Sequence, residues 1–280
     1  MKHQLTIMTG ASRGLGLALA RQLLVPGATL VCISRHTSDA LVQAATKQGA
    51  ALEQWTLDLS HCVQVANALK AWLQSKNEGQ WLSATLINNA GVIPAVAPLR
   101  LGDPNDLSNA LRVGLEAPML LSAAFVGATG AWTIPRKVLN ISSGLGRRAM
   151  ASSAAYCAAK AGMDHFTRSL AMDEARVVNG ARVCSLAPGV IDTDMQVQLR
   201  GADVSQFPDQ AMFADLHTKG QLSSADDAAA HILAYLARPD FGSEPVADVR
   251  DQKNRLARDH YFLVQAAKVG LLLDLGRADV

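Results

Sequence analysis

The sequence is short of charge, of aromatic side chains and of cysteine. Charged residues make up 18% of its 280 residues, aromatic residues 5%, and the formal net charge is only +2. So small an excess of positive charge leaves no electrostatic footprint for nucleic acid or for an anionic membrane surface, and we expect neither as a partner. The four cysteines, Cys32, Cys62, Cys157 and Cys184, are far apart and lack the CxxC spacing of zinc sites. We therefore predict free core thiols, with no disulfide framework and no metal.

The chain also lacks long hydrophobic runs, internal repeats and low-complexity linkers. Its first residues, MKHQLTIMTGASRG, offer too short an apolar stretch for a signal peptide, and no run approaches the roughly 18 apolar residues of a membrane helix. We therefore expect a cytoplasmic protein. The length allows either two domains or one large α/β domain.

Short apolar, β-branched runs are present instead, separated by alanine- and leucine-rich segments of helix length. The runs lie at 5–9, 29–34, 51–59, 84–91, 137–143, 181–189 and 245–249. Strands that alternate with helices predict an α/β fold, in which a doubly wound parallel sheet carries helices on both faces. The polar segment 194–223 reads either as a mobile region over a site or as a plain surface excursion.

A glycine turn, TGASRGLG, follows the first strand and opens the first helix. It contains Gly10, Ser12, Arg13, Gly14, Leu15 and Gly16. A sharp turn of this kind lets the backbone approach a pyrophosphate, while free N–H groups at the helix N-terminus face its negative charge. Its position predicts a dinucleotide site, although glycine is found at any tight turn.

The end of the second strand indicates which dinucleotide is bound. An acid there would bond the adenosine ribose, but CISRH supplies Ser34 and Arg35, and Arg13 lies in the glycine turn. Two guanidinium groups and a hydroxyl favour the 2′-phosphate of NADPH; the alternative is a pair of solvated surface arginines. Asp58, which ends the third strand, is assigned as an acceptor for the adenine amino group, and Leu59 is assigned to the cofactor site; an N-cap role for Ser60 is independent of this.

Polar clusters at 88–91, 140–144 and 187–195 each follow a later strand, so they meet at the sheet edge where α/β proteins bind ligands. Ordinary turn chemistry is the alternative for each cluster taken singly. Tyr156 and Lys160 are four residues apart in SAAYCAAKAG and share one helix face. An ammonium beside a phenol lowers the phenol pKa, which suits Tyr156 to protonate the alkoxide formed when hydride reduces a carbonyl. A serine of ISSG, Ser142 or Ser143, is available to hold the carbonyl oxygen.

These motifs, TGASRGLG, NNAG, ISSG, YCAAK and APGVIDTDM, resemble in order and spacing the short-chain dehydrogenase/reductase family, over residues 4 to about 250. The resemblance implies one NADP-binding Rossmann domain over 1–252 with a seven-stranded sheet, a substrate flap at about 194–223 and a C-terminal helical extension at 253–280. It assigns Tyr156 as general acid, Lys160 as pKa modifier and ribose ligand, and Ser143 as the residue that orients the carbonyl. Further cofactor contacts are implied at Asn89, Ala90, Gly91, Pro188, Gly189, Ile191 and Thr193.

Three stretches, 188–196, 206–229 and PVADVRD near the end, more closely resemble the sepiapterin reductase and benzil reductase branch. That branch implies NADPH-dependent reduction of a ketone or 1,2-diketone. It also places Asp248 where a carboxylate anchors the pterin, although a carboxylate at a strand end is often only solvated. The family further implies a homodimer or homotetramer.

One position departs from the family pattern. An asparagine that helps to hold a water behind the lysine is replaced by Gly114, and Asn109, five positions earlier, would face another way on a regular helix. The alternative function is therefore a low-activity or noncatalytic NADP(H)-binding regulatory protein. A sugar-nucleotide epimerase is a third possibility, which the GxxxGxG spacing and the modest length disfavour.

Overall fold

The computed structural model describes residues 3–251, and in that range every predicted apolar run overlaps one strand. The strands are β1 (His3–Thr9), β2 (Thr29–Ser34), β3 (Ala51–Thr56), β4 (Trp81–Asn88), β5 (Arg136–Ile141), β6 (Arg182–Ala187) and β7 (Val246–Asp248). The predicted extension at 253–280 lies outside the described residues.

Helices fill the intervals between the strands. They are α1 (Gly14–Leu23), α2 (Asp39–Gln48), α3 (Cys62–Gln74), α4 (Pro104–Leu111), α5 (Ala117–Ala128), α6 (Ala154–Glu174), α7 (Asp194–Arg200), α8 (Gln210–Thr218) and α9 (Ala225–Ala237). A π-helical turn, Arg112–Glu116, joins α4 to α5. The resulting helical run, Pro104–Ala128, is long and apolar enough to cross a membrane by length and composition alone, and half of its most apolar window is buried inside the protein.

The seven strands form one parallel sheet in the order β3-β2-β1-β4-β5-β6-β7, which confirms the predicted doubly wound Rossmann architecture. In β1, Ile7 pairs with Val31 of β2 on one side and with Leu86 of β4 on the other. The chain winds outward in both directions from β1 and β4, so a crevice opens where these strands end.

The core has one layer on each face of the sheet, and successive residues of one strand enter different layers. Ile7 packs in the layer under α3 and α5, whereas Met8 packs in the layer under α1 and α9. Both side chains are fully buried, as are Leu69 of α3 and Leu19 of α1. Burial on both faces explains why the strands read as continuous apolar runs rather than as alternating patterns.

The polar segment 194–223 is more regular than its sequence pattern predicts, because it contains the two short helices α7 and α8. Phe207 between them is fully buried, and its ring stacks on Phe213 at a centroid distance of 5.6 Å. Both belong to a small apolar cluster that also contains Leu199 and Tyr156. The segment therefore lies against the predicted active-site tyrosine and is not a plain surface excursion.

Candidate active site

A cavity of about 680 Å³ opens at the carboxyl ends of the strands, beside the β1–β4 crevice. Of the residues assigned to a site from the sequence, all but Asp248 line it. They are Gly10, Ser12, Arg13, Gly14, Leu15, Gly16, Ser34, Arg35, Asp58, Leu59, Asn89, Ala90, Gly91, Ser143, Tyr156, Lys160, Pro188, Gly189, Ile191 and Thr193. The fold thus brings together residues that are up to 183 positions apart, from Gly10 to Thr193.

The glycine turn forms a cradle that leaves no room for a side chain at Gly10 or Gly16. Gly10 and Gly14 have φ angles of +72° and +53°, which glycine adopts without strain. A Cβ on Gly16 would lie 1.8 Å from the carbonyl oxygen of Gly10. The side-chain amide of Asn89 donates to the carbonyl oxygens of Thr9 and Gly10, both at 3.1 Å, so Asn89 holds the turn in place.

The N-terminus of α1 faces the cavity with free backbone donors. Among the described residues, no side chain caps this helix, and its first turn contains no acid. Ser34 accepts a hydrogen bond from the backbone N–H of Ala11 at 2.9 Å, so its hydroxyl also fixes the glycine turn. This cradle fits the pyrophosphate of a dinucleotide, because unpaired N–H groups at a helix N-terminus bind anions.

The two arginines assigned to the 2′-phosphate are placed differently. Arg13 forms an exposed ion pair with Asp194 at 2.8 Å, which joins the glycine turn to the start of α7. Arg35 is exposed on the cavity wall and, among residues 3–251, makes no ion pair.

Asp58 caps the short helix that follows it, because its carboxylate accepts a hydrogen bond from the backbone N–H of Ser60. That hydrogen bond, together with the nearby Arg35, lowers the pKa of the Asp58 carboxyl. The N-cap is thus Asp58 and not Ser60.

Ser143, Tyr156 and Lys160 lie together at the other end of the cavity. Tyr156 and Lys160 are both buried on one face of α6, with the ammonium 5.7 Å from the phenol ring centroid. The ammonium donates to the backbone carbonyl of Ile141 at 2.7 Å. Ser143 hydrogen-bonds the phenol, so a hydroxyl pair faces the space where a carbonyl oxygen would bind.

The pKa of Tyr156 moves in the opposite direction from the sequence-based expectation. Burial of the phenol raises its pKa, and the hydrogen bond with Ser143 only partly opposes this. Burial also lowers the pKa of Lys160 to about 8, against the opposing charge of Asp164. The reason is desolvation, which disfavours the charged form of each group and which the residue spacing alone does not reveal. The phenol therefore keeps its proton at neutral pH in the protein alone.

Asp164 organises the wall behind these three residues and was not singled out from the sequence. Its carboxylate is 1% exposed and accepts from the hydroxyls of Ser142 and Ser185, both at 2.6 Å, and from Nε of Arg147 at 3.4 Å. Asp164 lies one helical turn beyond Lys160 on α6, a spacing that could have indicated it. By fixing Ser142, it positions the neighbouring Ser143.

The replaced asparagine lies in the π-helical turn. Gly114 is buried there, does not line the cavity, and its Cβ position is 3.1 Å from Cβ of Ala159. Asn109 does line the cavity, as does Val113. Because a π turn shifts the faces of the helix on either side of it, Asn109 and Gly114 are not related as they would be on a regular helix.

Asp248 does not line the cavity. It is 6% exposed, and Nε and Nη2 of Arg250 grip its two carboxylate oxygens at 2.9 and 2.6 Å. Arg250 lines the cavity in its place, as does Arg148. Other lining residues that the sequence did not indicate are His36, Val92, Ile93, Leu145, Val190, Met195, Gln196, Leu199 and Phe213.

Comparisons with known proteins find relatives that agree with one another in the kind of protein they are. The family model for short chain dehydrogenase matches residues 4–203. The benzil reductase ((S)-benzoin forming) of Bacillus cereus is 33% identical over 84% of this chain and 94% of its own length. The sepiapterin reductase of Xenopus tropicalis is 34% identical over 70% of this chain and 77% of its own. A solved metagenomic short-chain oxidoreductase in complex with NADP has a TM-score of 0.64 at 27% identity, covering 88% of this chain and 94% of that one.

Proposed function

The chain belongs to the short-chain dehydrogenase family, and on that premise we propose that it is an NADPH-dependent carbonyl reductase acting on a ketone or 1,2-diketone. The observation that carries the proposal is the convergence of Ser143, Tyr156 and Lys160 on one wall of a cavity whose other end is the glycine cradle. A serine hydroxyl, a protonated phenol and an ammonium are the groups needed to reduce a carbonyl.

NADPH, when bound along the cavity, supplies the hydride that reduces the carbonyl carbon. Ser143 holds the carbonyl oxygen, Tyr156 donates its phenolic proton to that oxygen as negative charge develops, and the product is the alcohol. Lys160 stabilises the phenolate left behind, since its ammonium lies over the ring. Apolar side chains of the flap, Leu199 and Phe213, cover the site and limit water access.

The test of this function is a panel of carbonyl compounds. We expect the purified protein to oxidise NADPH when given benzil, 1-phenyl-1,2-propanedione or sepiapterin, with the corresponding alcohol as product. Loss of NADPH absorbance and product chromatography measure the reaction. Tight NADPH binding without turnover of any member of the panel would contradict the reductase and favour the regulatory alternative.

That alternative, a noncatalytic NADP(H)-binding protein, is kept because of one residue. Gly114 supplies no side-chain amide behind Lys160, and the ammonium donates to a backbone carbonyl. Ser143, Tyr156 and Lys160 nevertheless favour the enzyme, since a protein that only binds the cofactor has no chemical need for all three.

We also propose that the protein is cytoplasmic and forms a homodimer or homotetramer. Exposed apolar residues such as Leu111 and Met119, near the α4–α5 junction, are compatible with association.

Cofactor choice is tested at Arg35. Replacing Arg35 with aspartate is expected to weaken NADPH binding by about 10- to 100-fold and to shift the preference toward NADH. The change removes a guanidinium that grips phosphate and introduces a carboxylate that repels it but accepts from a ribose hydroxyl. Titration of NADPH and NADH by fluorescence measures both affinities.

Arg176→Asp is the matched control, since Arg176 is exposed and lies outside the cavity lining. It reproduces the change in net charge and should leave both affinities unaltered. An Arg35→Asp variant that behaves like this control would show that the 2′-phosphate is bound elsewhere.

A further inference from the structure

The two ends of the cavity differ in charge. Among the residues that the structure describes, the acids lining it are Asp58 and Asp194, and both lie at the cofactor end, where Arg35 and Arg13 face them. Beyond Ser143 and Tyr156, the charged side chains on the wall are Arg148 and Arg250. The substrate end is therefore positive with no lining carboxylate to offset it.

Arg250 presents its guanidinium to the cavity while it neutralises Asp248. The pair is bidentate, through Nε and Nη2, and Nη1 of Arg147 adds a second cationic group 3.9 Å from the same carboxylate. Asp248 is thus shielded by two arginines and is closed off from a ligand. A guanidinium has five N–H donors, so three of those on Arg250 are left over after this pairing.

The remaining donors of Arg250 lie beside the proposed carbonyl site. The Arg250 side chain is 62% exposed, and its Nη2 lies 3.9 Å from the position that a Cβ on Gly144 would occupy. Gly144 follows Ser143 directly in the chain. Arg250 therefore lies beside the loop that carries Ser143.

Arg148 adds a second guanidinium that the fold does not use. Its side chain is exposed on the cavity wall and, within residues 3–251, forms no ion pair or side-chain hydrogen bond. The charged groups around this end are four cations (Arg147, Arg148, Arg250 and Lys160) and three carboxylates, those of the buried Asp164 and Asp248 and of Asp251 beside Arg250. The cluster has one positive charge in excess, and an open guanidinium favours a planar carboxylate or a phosphate oxygen pair.

We propose that the substrate is a carbonyl compound with an anionic group, such as the carboxylate of a 2-oxo acid, held by Arg250 and Arg148. The proposal rests on the reductase function and specifies its substrate class. For a 2-oxo acid the balanced reaction consumes NADPH and one proton and gives the 2-hydroxy acid and NADP⁺. The hydride forms the new C–H bond, and Tyr156 supplies the proton of the new hydroxyl group.

A matched pair of substrates tests the proposal: benzoylformate, which carries a carboxylate, and its neutral methyl ester. We expect the ratio of kcat/KM for the acid to that for the ester to fall at least tenfold in Arg148→Gln and in Arg250→Gln. Arg148 makes no contact whose loss would destabilise the fold, so its variant separates specificity from folding. Arg168→Gln, on the exposed side of α6 and outside the cavity lining, is the control and should keep the wild-type ratio.

The outcomes separate this inference from the proposed function. One outcome is that the protein reduces the ester or benzil, but the acid-to-ester ratio of kcat/KM is unchanged in both arginine variants. This result would overturn the proposal of an anionic substrate and would still agree with the reductase function. Benzoylphosphonate, as a third substrate, distinguishes the two kinds of anionic group that the arginines could hold. A higher kcat/KM than for benzoylformate assigns the site to a phosphate-like group, and a lower kcat/KM assigns it to a carboxylate.

If the wild-type protein reduces no carbonyl compound, the proposed reductase function is wrong, but ligand binding still tests the proposal of an anion held by Arg250 and Arg148. Benzoate should then bind the NADPH-loaded protein at least tenfold more tightly than benzamide in calorimetry, and Arg148→Gln should remove the difference. Equal binding of the two ligands by the wild-type protein would overturn the proposal.

Discussion

Replacing Tyr156 with phenylalanine is expected to lower kcat for carbonyl reduction by roughly 10²- to 10⁴-fold, the usual contribution of a positioned general acid. Only the phenolic oxygen is removed, so the ring keeps its place in the apolar cluster with Leu199 and Phe207. Burial raises the pKa of Tyr156, so the wild-type phenol carries its proton at neutral pH. Steady-state kinetics with benzil and NADPH, together with thermal unfolding, measure the effect.

Tyr235→Phe is the matched control for this prediction. Tyr235 is also buried and also loses one hydroxyl, which lies 3.9 Å from the Cys184 sulfur, far from the cavity lining. Its kcat should stay within about twofold of the wild-type value, consistent with a hydroxyl that takes no part in proton transfer. Full turnover in Tyr156→Phe would remove the proposed acid.

Replacing Gly16 with alanine is expected to weaken NADPH binding by at least about 100-fold, equivalent to roughly 2.7 kcal/mol. The new methyl group would meet the Gly10 carbonyl oxygen at 1.8 Å and the Asn89 amide nitrogen at 2.5 Å. Neither atom can yield easily, since the Asn89 amide donates to that same carbonyl. The glycine turn must therefore shift, which disturbs the phosphate cradle; fluorescence titration and the Tm report the two consequences.

Gly127→Ala provides the contrast, because it makes the same substitution where space is available. Nothing lies within 4 Å of a Cβ on Gly127, which is in α5. Alanine is favoured over glycine in a helix by up to about 1 kcal/mol, so this variant should be slightly more stable and should bind NADPH normally. The same NADPH affinity and the same Tm in both variants would refute the close approach at Gly16.

Much of the fold and the cofactor site was predictable because it depends on local patterns. Seven apolar runs became seven parallel strands, since strands buried on both faces need apolar residues throughout. The glycine turn after β1 and the pair Tyr156 and Lys160 on α6 also have fixed local spacings. Once the strands are parallel, motifs at their carboxyl ends meet at one edge, and so the assigned residues share a cavity.

Other features depend on which distant side chains meet. Asp248 was assigned to the substrate from its place in the chain, yet its contacts with Arg250 and Arg147 close it off. The π turn before α5 has no strong sequence signal, and it decides that Asn109 rather than Gly114 lines the cavity. The helices of the flap owe their position to burial of Phe207 and Phe213 rather than to a periodic pattern.

The amino-acid sequence by itself thus determined the order of strands and helices, the phosphate-binding turn and the identity of the proposed catalytic side chains. Those properties follow from apolar burial and from backbone geometry over a few residues. Only the tertiary structure decided the direction of the Tyr156 pKa and the charge presented to the substrate. Both depend on desolvation and on ion pairs between elements, which form when packing removes water from side chains that are far apart in the chain.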